Sequence, residues 1–418
     1  MTAKLIHNGT LIDGNGGDPI ANGAVLITDG RIEAVGQLHT LEIPADVEKI
    51  DAYGGTILPG LIDSHVHMMF EISNMAERRN QPFSLGFYKA MAFMQNTINA
   101  GITTVRDAGG ADLGVKQAIE QGLVVGPRMQ ISITPLGITG GHTDGWLPSG
   151  GSNKLFQSYP GNPDGICDGV EEVRKKVREV LRAGAEVIKV CSTGGVLSPT
   201  DHPEFTQFSP EELAVMVQEG HYRRGVKVMS HAQGTEGIKN AVLAGIHSIE
   251  HGIYLDDDVI DLMLEHGTFL VPTLLAPIAV VEIGEETGNM PDYALRKARE
   301  VIEAHGESIS KAYKAGVTIS MGTDAGVMPH GTNLRELGLM CQCGMTAMEA
   351  LVATTRTAAE CLGWQDRVGT LNAGKFADVV ITKTDPLKDI RSLENNDNIV
   401  LVMKGGDVLK DIRGERIL

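Results

Sequence analysis

Apolar and polar positions follow one order that occurs six times along this chain: an amphipathic stretch, a glycine, a β-rich apolar run, then a polar or charged residue. The runs are Gly101-ITTVR-Asp107, Gly184-AEVI-Lys189, Gly225-VKVMS-His231, Gly245-IHSIE-His251, Gly267-TFLVP-Thr273 and Gly316-VTISMGT-Asp324. Helical spacing fills the intervals. Val173, Val177, Val180 and Leu181 make one apolar stripe; Ser209-Pro210-Glu211-Glu212 is a capping box with proline at the first helical position, ahead of Leu213, Met216 and Val217. Parallel strands need crossover connections, so this rhythm predicts strands inside and helices outside. An α/β fold of the (β/α)8 TIM-barrel type satisfies it, and there the reactive groups sit at the C-terminal rim of the strands.

Both ends of the chain lack the rhythm. KLIHNGTLID, AVLITDGRIEAVG and VEKIDAYG near the N-terminus, and FADVVITKTDP and NIVLVMKGGDVLKD near the C-terminus, read as short strands with turns at Asp29-Gly30 and Gly405-Gly406. They predict a small β-sandwich domain built from residues 1–57 plus 363–418, beside a catalytic barrel over 58–362. Two unrelated β appendages, the alternative, would leave two sets of edge strands uncovered. The 418 residues leave room for both, since such a barrel takes roughly 250. A Gly-, Pro-, Ser- and Asn-rich stretch at about 134–169 interrupts the barrel pattern, and its Trp146 and Tyr159 suggest a lid.

Candidate chemistry lies at the ends of the apolar runs. In TILPGLIDSHVHMMF, His65 and His67 are two apart and share one face of a strand. Such a pair is a weak signal alone. Lys189, His231, His251 and Asp324, each closing a later run, make chance a poor explanation, and imidazole and carboxylate suit Zn²⁺ and similar ions. An ammonium would repel a cation, so Lys189 joins this set only if neutralised or converted by CO₂ to a bridging carbamate; a core lysine paired with Asp or Glu is the alternative. His247 shares the strand parity of His251 but would lie deeper. Arg106, before Asp107, is either a clamp for a substrate carboxylate or half of a buried Arg–Asp pair.

These residues resemble the amidohydrolase superfamily, binuclear subtype, across nearly the whole chain. PGLIDSHVH, VIKV, MSHAQG, IEHG and MGTDAG match its metal-bearing strands, and GTLNAGKFADVVI matches the C-terminal part of its split β-sandwich. TTVRDAGG, TGGH and GTEGIKNAVLAGIHSIEHG are similar to the branch holding Xaa-Pro dipeptidase-like and Xaa-Arg/Lys carboxypeptidase-like enzymes and ochratoxin-cleaving amidases. The resemblance implies two divalent metals, zinc being the expectation. His65, His67 and Asp324 would hold one and His231 and His251 the other, with N6-carboxylated Lys189 and a hydroxide bridging them. It implies hydrolysis of a linear amide: a dipeptide, a C-terminal peptide or an N-acyl amino acid. Asp324 would carry the proton to the departing amine, and His142 in TGGH would donate to the oxyanion. Gln233 and His330 are candidate substrate contacts. Gln233 stands where some dipeptidase-like relatives have an aromatic residue, which puts proline specificity in doubt.

Charge and composition narrow the partners. A net charge of −17 disfavours nucleic acid and anionic membrane, and no stretch approaches the roughly 18 apolar residues of a membrane span. The N-terminus lacks a signal-peptide layout, and five scattered cysteines read as free thiols, so a cytoplasmic enzyme is expected. The branch is commonly homo-oligomeric, and Met68, Met69, Met75, Met91 and Met94 are either an interface or core filler. Rival functions are a cyclic-amide hydrolase with the same ligand set, a mononuclear deaminase and a non-catalytic scaffold. Gly234, where deaminases usually carry glutamate, disfavours the second; retention of all six ligands disfavours the third.

Overall fold

The computed structural model describes residues 3–72, 80–147 and 149–413. Strands β1 (Ala3–Leu11), β2 (Ile20–Thr28), β3 (Arg31–Gln37), β4 (Glu48–Asp51) and β5 (Thr56–Pro59) share one eight-stranded sheet with β13 (Val379–Thr382), β14 (Ile399–Lys404) and β15 (Asp407–Asp411). The two chain ends join where β13 lies antiparallel to β5, Val379 opposite Pro59 and Thr382 opposite Thr56. Ile32 N donates to Lys375 O and Ala377 N to Gly30 O, which returns the β3 edge to the segment leading into β13. Ile6, Val25, Ile32, Ile57, Ile381 and Leu401 form one buried cluster inside. Both anticipated hairpins are present. Asp29 and Gly30 (φ 49° and 77°) and Gly405 and Gly406 (φ 59° and 86°) take the left-handed pairs that suit two-residue turns. The turns also touch: a Cβ on Gly406 would lie 2.7 Å from the Gly30 Cα.

The middle of the chain is a parallel α/β arrangement. Strands β6 (Leu61–Val66), β7 (Ile102–Asp107) and β8 (Arg128–Ile131) pair in parallel, as do β9 (Val187–Cys191), β10 (Lys227–Ala232), β11 (Ser248–His251) and β12 (Phe269–Val271). Every residue of β6, β7, β9 and β11 is buried, as expected for strands covered on both faces. The sixth apolar run, Gly316 to Asp324, is held by bridges rather than as a regular strand. Ser320 N donates to Leu270 O on one side; on the other, Ser64 N donates to Met321 O and Asp324 N donates to His65 O. Parallel bridges Leu270–Ile319 and Val66–Ala325 thus stand between β12 and β6, and Leu136–Val190 stands between the segment after β8 and β9.

Helices fill the intervals as the periodicity predicts. Val170–Arg182 buries Val173, Val177 and Val180, and Pro210–Tyr222 begins with the capping box, Glu212 N to Ser209 Oγ at 3.3 Å and Ser209 N to Glu212 Oε2 at 2.7 Å. Met68, Met69 and Met94 are core residues while Met91 is exposed; Met75 lies outside the described residues. All five cysteines are free. No helix among the described residues is long and apolar enough to cross a membrane.

Glu336 has a consequence for stability. Its carboxylate is fully buried and accepts from Leu274 N at 2.7 Å and Leu275 N at 2.8 Å, at the start of helix Leu275–Thr287. Burial nevertheless pushes its pKa up to about 8. The folded state therefore holds a proton that the unfolded state has already released, and stability falls as pH rises from the unfolded value near 4.5 through about 8. Urea unfolding across that range is expected to show the decline in the wild type and a flatter dependence in Glu336→Gln.

Candidate active site

One end of the parallel strands opens into a cavity of about 350 Å³. His65, His67, Lys189, His231, His251 and Asp324 all line it, with Phe70, Trp146, Leu147, Leu155, Phe156 and Leu197 among its apolar walls. Strand alternation explains the convergence: His65 is next to last in β6, Lys189 lies in β9, His231 in β10 and His251 ends β11, each turned to the same interior. Ligand atoms of His65, His251 and Asp324 lie within 4.8 Å of one another. Asp324 Oδ1 is 3.2 Å from His67 Nε2 and 3.5 Å from His65 Nε2. Lys189 Nζ is 3.4 Å from His65 Nε2, and no described carboxylate forms an ion pair with it.

Hydrogen bonds on the outer ring nitrogens decide which lone pairs face inward. His67 Nδ1 meets Gly109 O at 2.9 Å; a carbonyl only accepts, so Nδ1 carries the proton and, in the uncharged ring, Nε2 is bare. His65 Nδ1 donates to Glu250 Oε2 at 2.8 Å, leaving its Nε2 bare too. Both bare nitrogens point at Asp324 Oδ1, a buried oxygen that lacks a hydrogen-bond partner. Lone pairs gathered this closely with no proton between them repel one another, and a cation among them removes the repulsion. The donor set fits a divalent metal. His231 Nε2 donates to Gly194 O at 3.0 Å, so its Nδ1 lone pair faces His251 Nε2 at 2.8 Å. His251 Nδ1 lies 2.6 Å from Thr273 Oγ1.

Charge states agree with this role. Burial first, then the Lys189 ammonium, holds His65 far below the ordinary imidazole range; burial with His142 does so for His231, and burial with His65 for His251. Neutral imidazoles are the ligating form. Burial would raise the Asp324 carboxyl, but positive charge beside it, that of Lys189 included, outweighs burial, and it stays anionic. Burial lowers the Lys189 pKa.

Of the remaining candidates, His142 lines the cavity, its ring stacked on His231 at 4.3 Å and 17°. Gln233 lines it too, with its Oε1 buried and unpartnered. His330 is neither solvated nor on the cavity wall: it is buried, stacked on Phe93 at 5.0 Å, with Nε2 3.2 Å from Phe70 O. His247 stands apart, donating to Cys361 O at 3.0 Å against the Phe269 ring. Arg106 is buried, but its partner is Glu250 at 2.9 Å rather than Asp107, which accepts from Met68 N, Gly109 N and Ala111 N. The stretch after β8 supplies His142, Trp146, Leu147 and Phe156 to the cavity wall.

Glu250 is the supporting residue that the sequence reading did not single out. Its carboxylate joins His65 Nδ1 to Arg106 Nη2 and also accepts from Ser248 Oγ at 2.6 Å. The available signal was an acid inside a four-residue buried strand, SIEH, where an unpaired charge would be costly. Asp63 is similar: it accepts from His65 N, Thr323 N, Thr323 Oγ1 and Asn333 Nδ2, fastening β6 to the segment that ends in Asp324. In Glu250→Gln one donor must face an amide NH₂. Urea unfolding is expected to register a loss of about 1–3 kcal/mol, and competition with a chelator a metal affinity about 10–100-fold weaker.

Comparison with known proteins extends this picture. The family described as the amidohydrolase family matches residues 56–409. Ochratoxinase from Aspergillus niger is 36% identical over 429 aligned positions, covering 97% of this chain and 86% of that protein. Its crystal structure superposes with a TM-score of 0.85 at 34% identity, over 98% of this chain and 96% of the other. A Xaa-Pro dipeptidase with methionine bound in its active site superposes with a TM-score of 0.87 at 34% identity, covering 97% and 99%.

Proposed function

Because the chain belongs to the amidohydrolase family, we propose that it is a binuclear metal-dependent hydrolase cleaving a linear amide: a dipeptide, a C-terminal peptide bond or an N-acyl amino acid. The observation that carries this reading is the gathering of four imidazoles, a carboxylate and a lysine amine, which has no ion-pair partner among the described residues, at one end of a largely apolar cavity. The parallel strands and their bridges are read as a (β/α)8 barrel over residues 58–362, with 1–57 and 363–418 as the separate β-sandwich domain. His65, His67 and Asp324 would hold one metal, taken to be zinc, and His231 and His251 the second, with carboxylated Lys189 between. Bound metal supplies Lewis acidity and water acidified toward neutral pH.

The chain's own groups complete the chemistry. Burial favours the uncharged Lys189 amine, the form that adds to CO₂. Asp324, anionic and facing the cavity, accepts a proton from attacking water and returns it to the departing amine. His142 faces the scissile carbonyl oxygen, and the unpartnered Gln233 Oε1 accepts a substrate N–H. Phe70, Trp146, Leu147 and Phe156 take up the apolar part of the substrate. The likeness to ochratoxinase and a Xaa-Pro dipeptidase supports amide cleavage. Metal analysis joined to a library of dipeptides and N-acyl amino acids, read as free amine, tests the proposal. Two zinc equivalents per chain with amine release are expected; one equivalent with deamination, or no metal and no turnover, would overturn it.

A further inference from the structure

We infer that Lys297 is a positioning residue, which fixes the ring of His142 through the 195–201 loop and its Ser198 and Asp201 side chains. This inference rests on the reading that His142 faces the substrate.

Helix Asp292–Ala315 turns Ala294, Ala298, Val301, Ile309 and Ala312 into the core, and Lys297 lies on that same buried stripe. Its side chain is 5% exposed. An ammonium placed there needs partners for three protons. It finds them in three carbonyls of one loop: Gly195 O at 2.9 Å, Ser198 O at 2.7 Å and Asp201 O at 2.6 Å. The Asp201 carboxylate, at 3.5 Å, is the counter-charge. One turn earlier, Tyr293 donates its hydroxyl to Leu197 O at 3.2 Å. A single helix face therefore holds the loop that forms one wall of the cavity.

The loop in turn holds His142. Ser198 Oγ donates its only proton to Asp201 Oδ1, an anionic acceptor, so its lone pair is left to receive His142 Nδ1–H at 2.8 Å. Gln207 braces the same corner, donating to Asp201 Oδ2 at 3.1 Å and accepting from His142 N at 3.3 Å. Close approach of the ring requires glycine at position 195, where a Cβ would stand 2.3 Å from His142 Cε1. The stack on His231 closes the other side. One tautomer and one orientation result, with Nδ1 protonated toward Ser198 and Nε2 turned away from it.

The test reads the ring itself. In the full chain loaded with zinc and labelled with ¹⁵N-histidine, a long-range ¹H–¹⁵N correlation should show His142, assigned by its disappearance in His142→Gln, as a single Nδ1–H tautomer. Lys297→Met should mix the tautomers or shift them toward Nε2–H. In kinetics it should lower kcat about 10- to 100-fold with KM nearly unchanged, the cost of a misplaced group. Ser198→Ala, which leaves the loop carbonyls in place, should change the same resonances if Lys297→Met does not fold. Unchanged His142 shifts in a folded variant would overturn the inference even if the wild type hydrolyses amides. Altered shifts in a protein that hydrolyses no amide would leave the positioning in place and remove the functional reading instead.

Discussion

Asp324→Asn is expected to fold as the wild type does, to keep its metal, and to lose turnover by about 10³-fold, or roughly 4 kcal/mol of transition-state stabilisation. The substitution suits the backbone. Asp324 sits at φ 64°, a left-handed conformation that Asn tolerates and most other residues do not. An Asn oxygen can occupy the Oδ1 position beside His65 and His67 Nε2, so the proposed coordination would be retained. What disappears is a carboxylate that stays anionic despite its burial. An amide cannot take a proton from water near neutral pH, so the shuttle stops while binding persists. The proposed mechanism places this loss in kcat rather than KM. Metal content by elemental analysis beside steady-state kinetics separates the two effects. Wild-type turnover in Asp324→Asn would remove the proton-transfer role.

Lys189→Ala should be as damaging for a different reason. Under the binuclear reading it deletes the one bridging anion that the chain itself would supply, so affinity should fall further than the roughly 100-fold seen when an outer-shell partner is removed. Metal content should drop to one equivalent or below and activity should be abolished, with bicarbonate plus a short-chain carboxylic acid restoring part of both. Stability of the metal-free protein should move in the opposite direction. A buried amine with no ion-pair partner among the described residues, 3.4 Å from His65 Nε2, opposes folding whenever it is charged. Lys189→Met, of similar shape, should therefore unfold at the same or a higher urea concentration once both proteins have been stripped with a chelator. Full activity in Lys189→Ala would remove the bridge.

Much of the site was readable from the chain because its geometry is mostly strand geometry. A residue that ends a buried parallel strand has few places to point, so Lys189, His231 and His251 could be assigned to one rim from their place in the repeat. The S-x-E-H spacing favoured His251 over His247; the structure has His251 on the cavity wall and sends His247 to the Cys361 carbonyl. His330 is the counterexample. It follows Asp324 closely in sequence, but the loop between them folds back and stacks the ring on Phe93, away from the cavity. Loop residues carry no periodicity from which such a reversal could be read.

The supporting partners were harder to see because each depends on contacts between elements distant in sequence. Arg106 was expected beside its neighbour Asp107 and instead reaches Glu250 across the interior, while Asp107 caps backbone amides after β6 and β7. Lys297 looks like a surface lysine in a long helix until the 195–201 carbonyls are brought over it. By itself, then, the sequence determined the α/β rhythm, the hairpins at Asp29-Gly30 and Gly405-Gly406, and the residues that could ligate, since these follow from local backbone preference and strand parity. The tertiary structure alone decided which ring nitrogens of His65, His67 and His231 face the cavity and which buried charges stand paired. Those states depend on what lies across a few ångströms of excluded water, and the order of residues along the chain does not encode that distance.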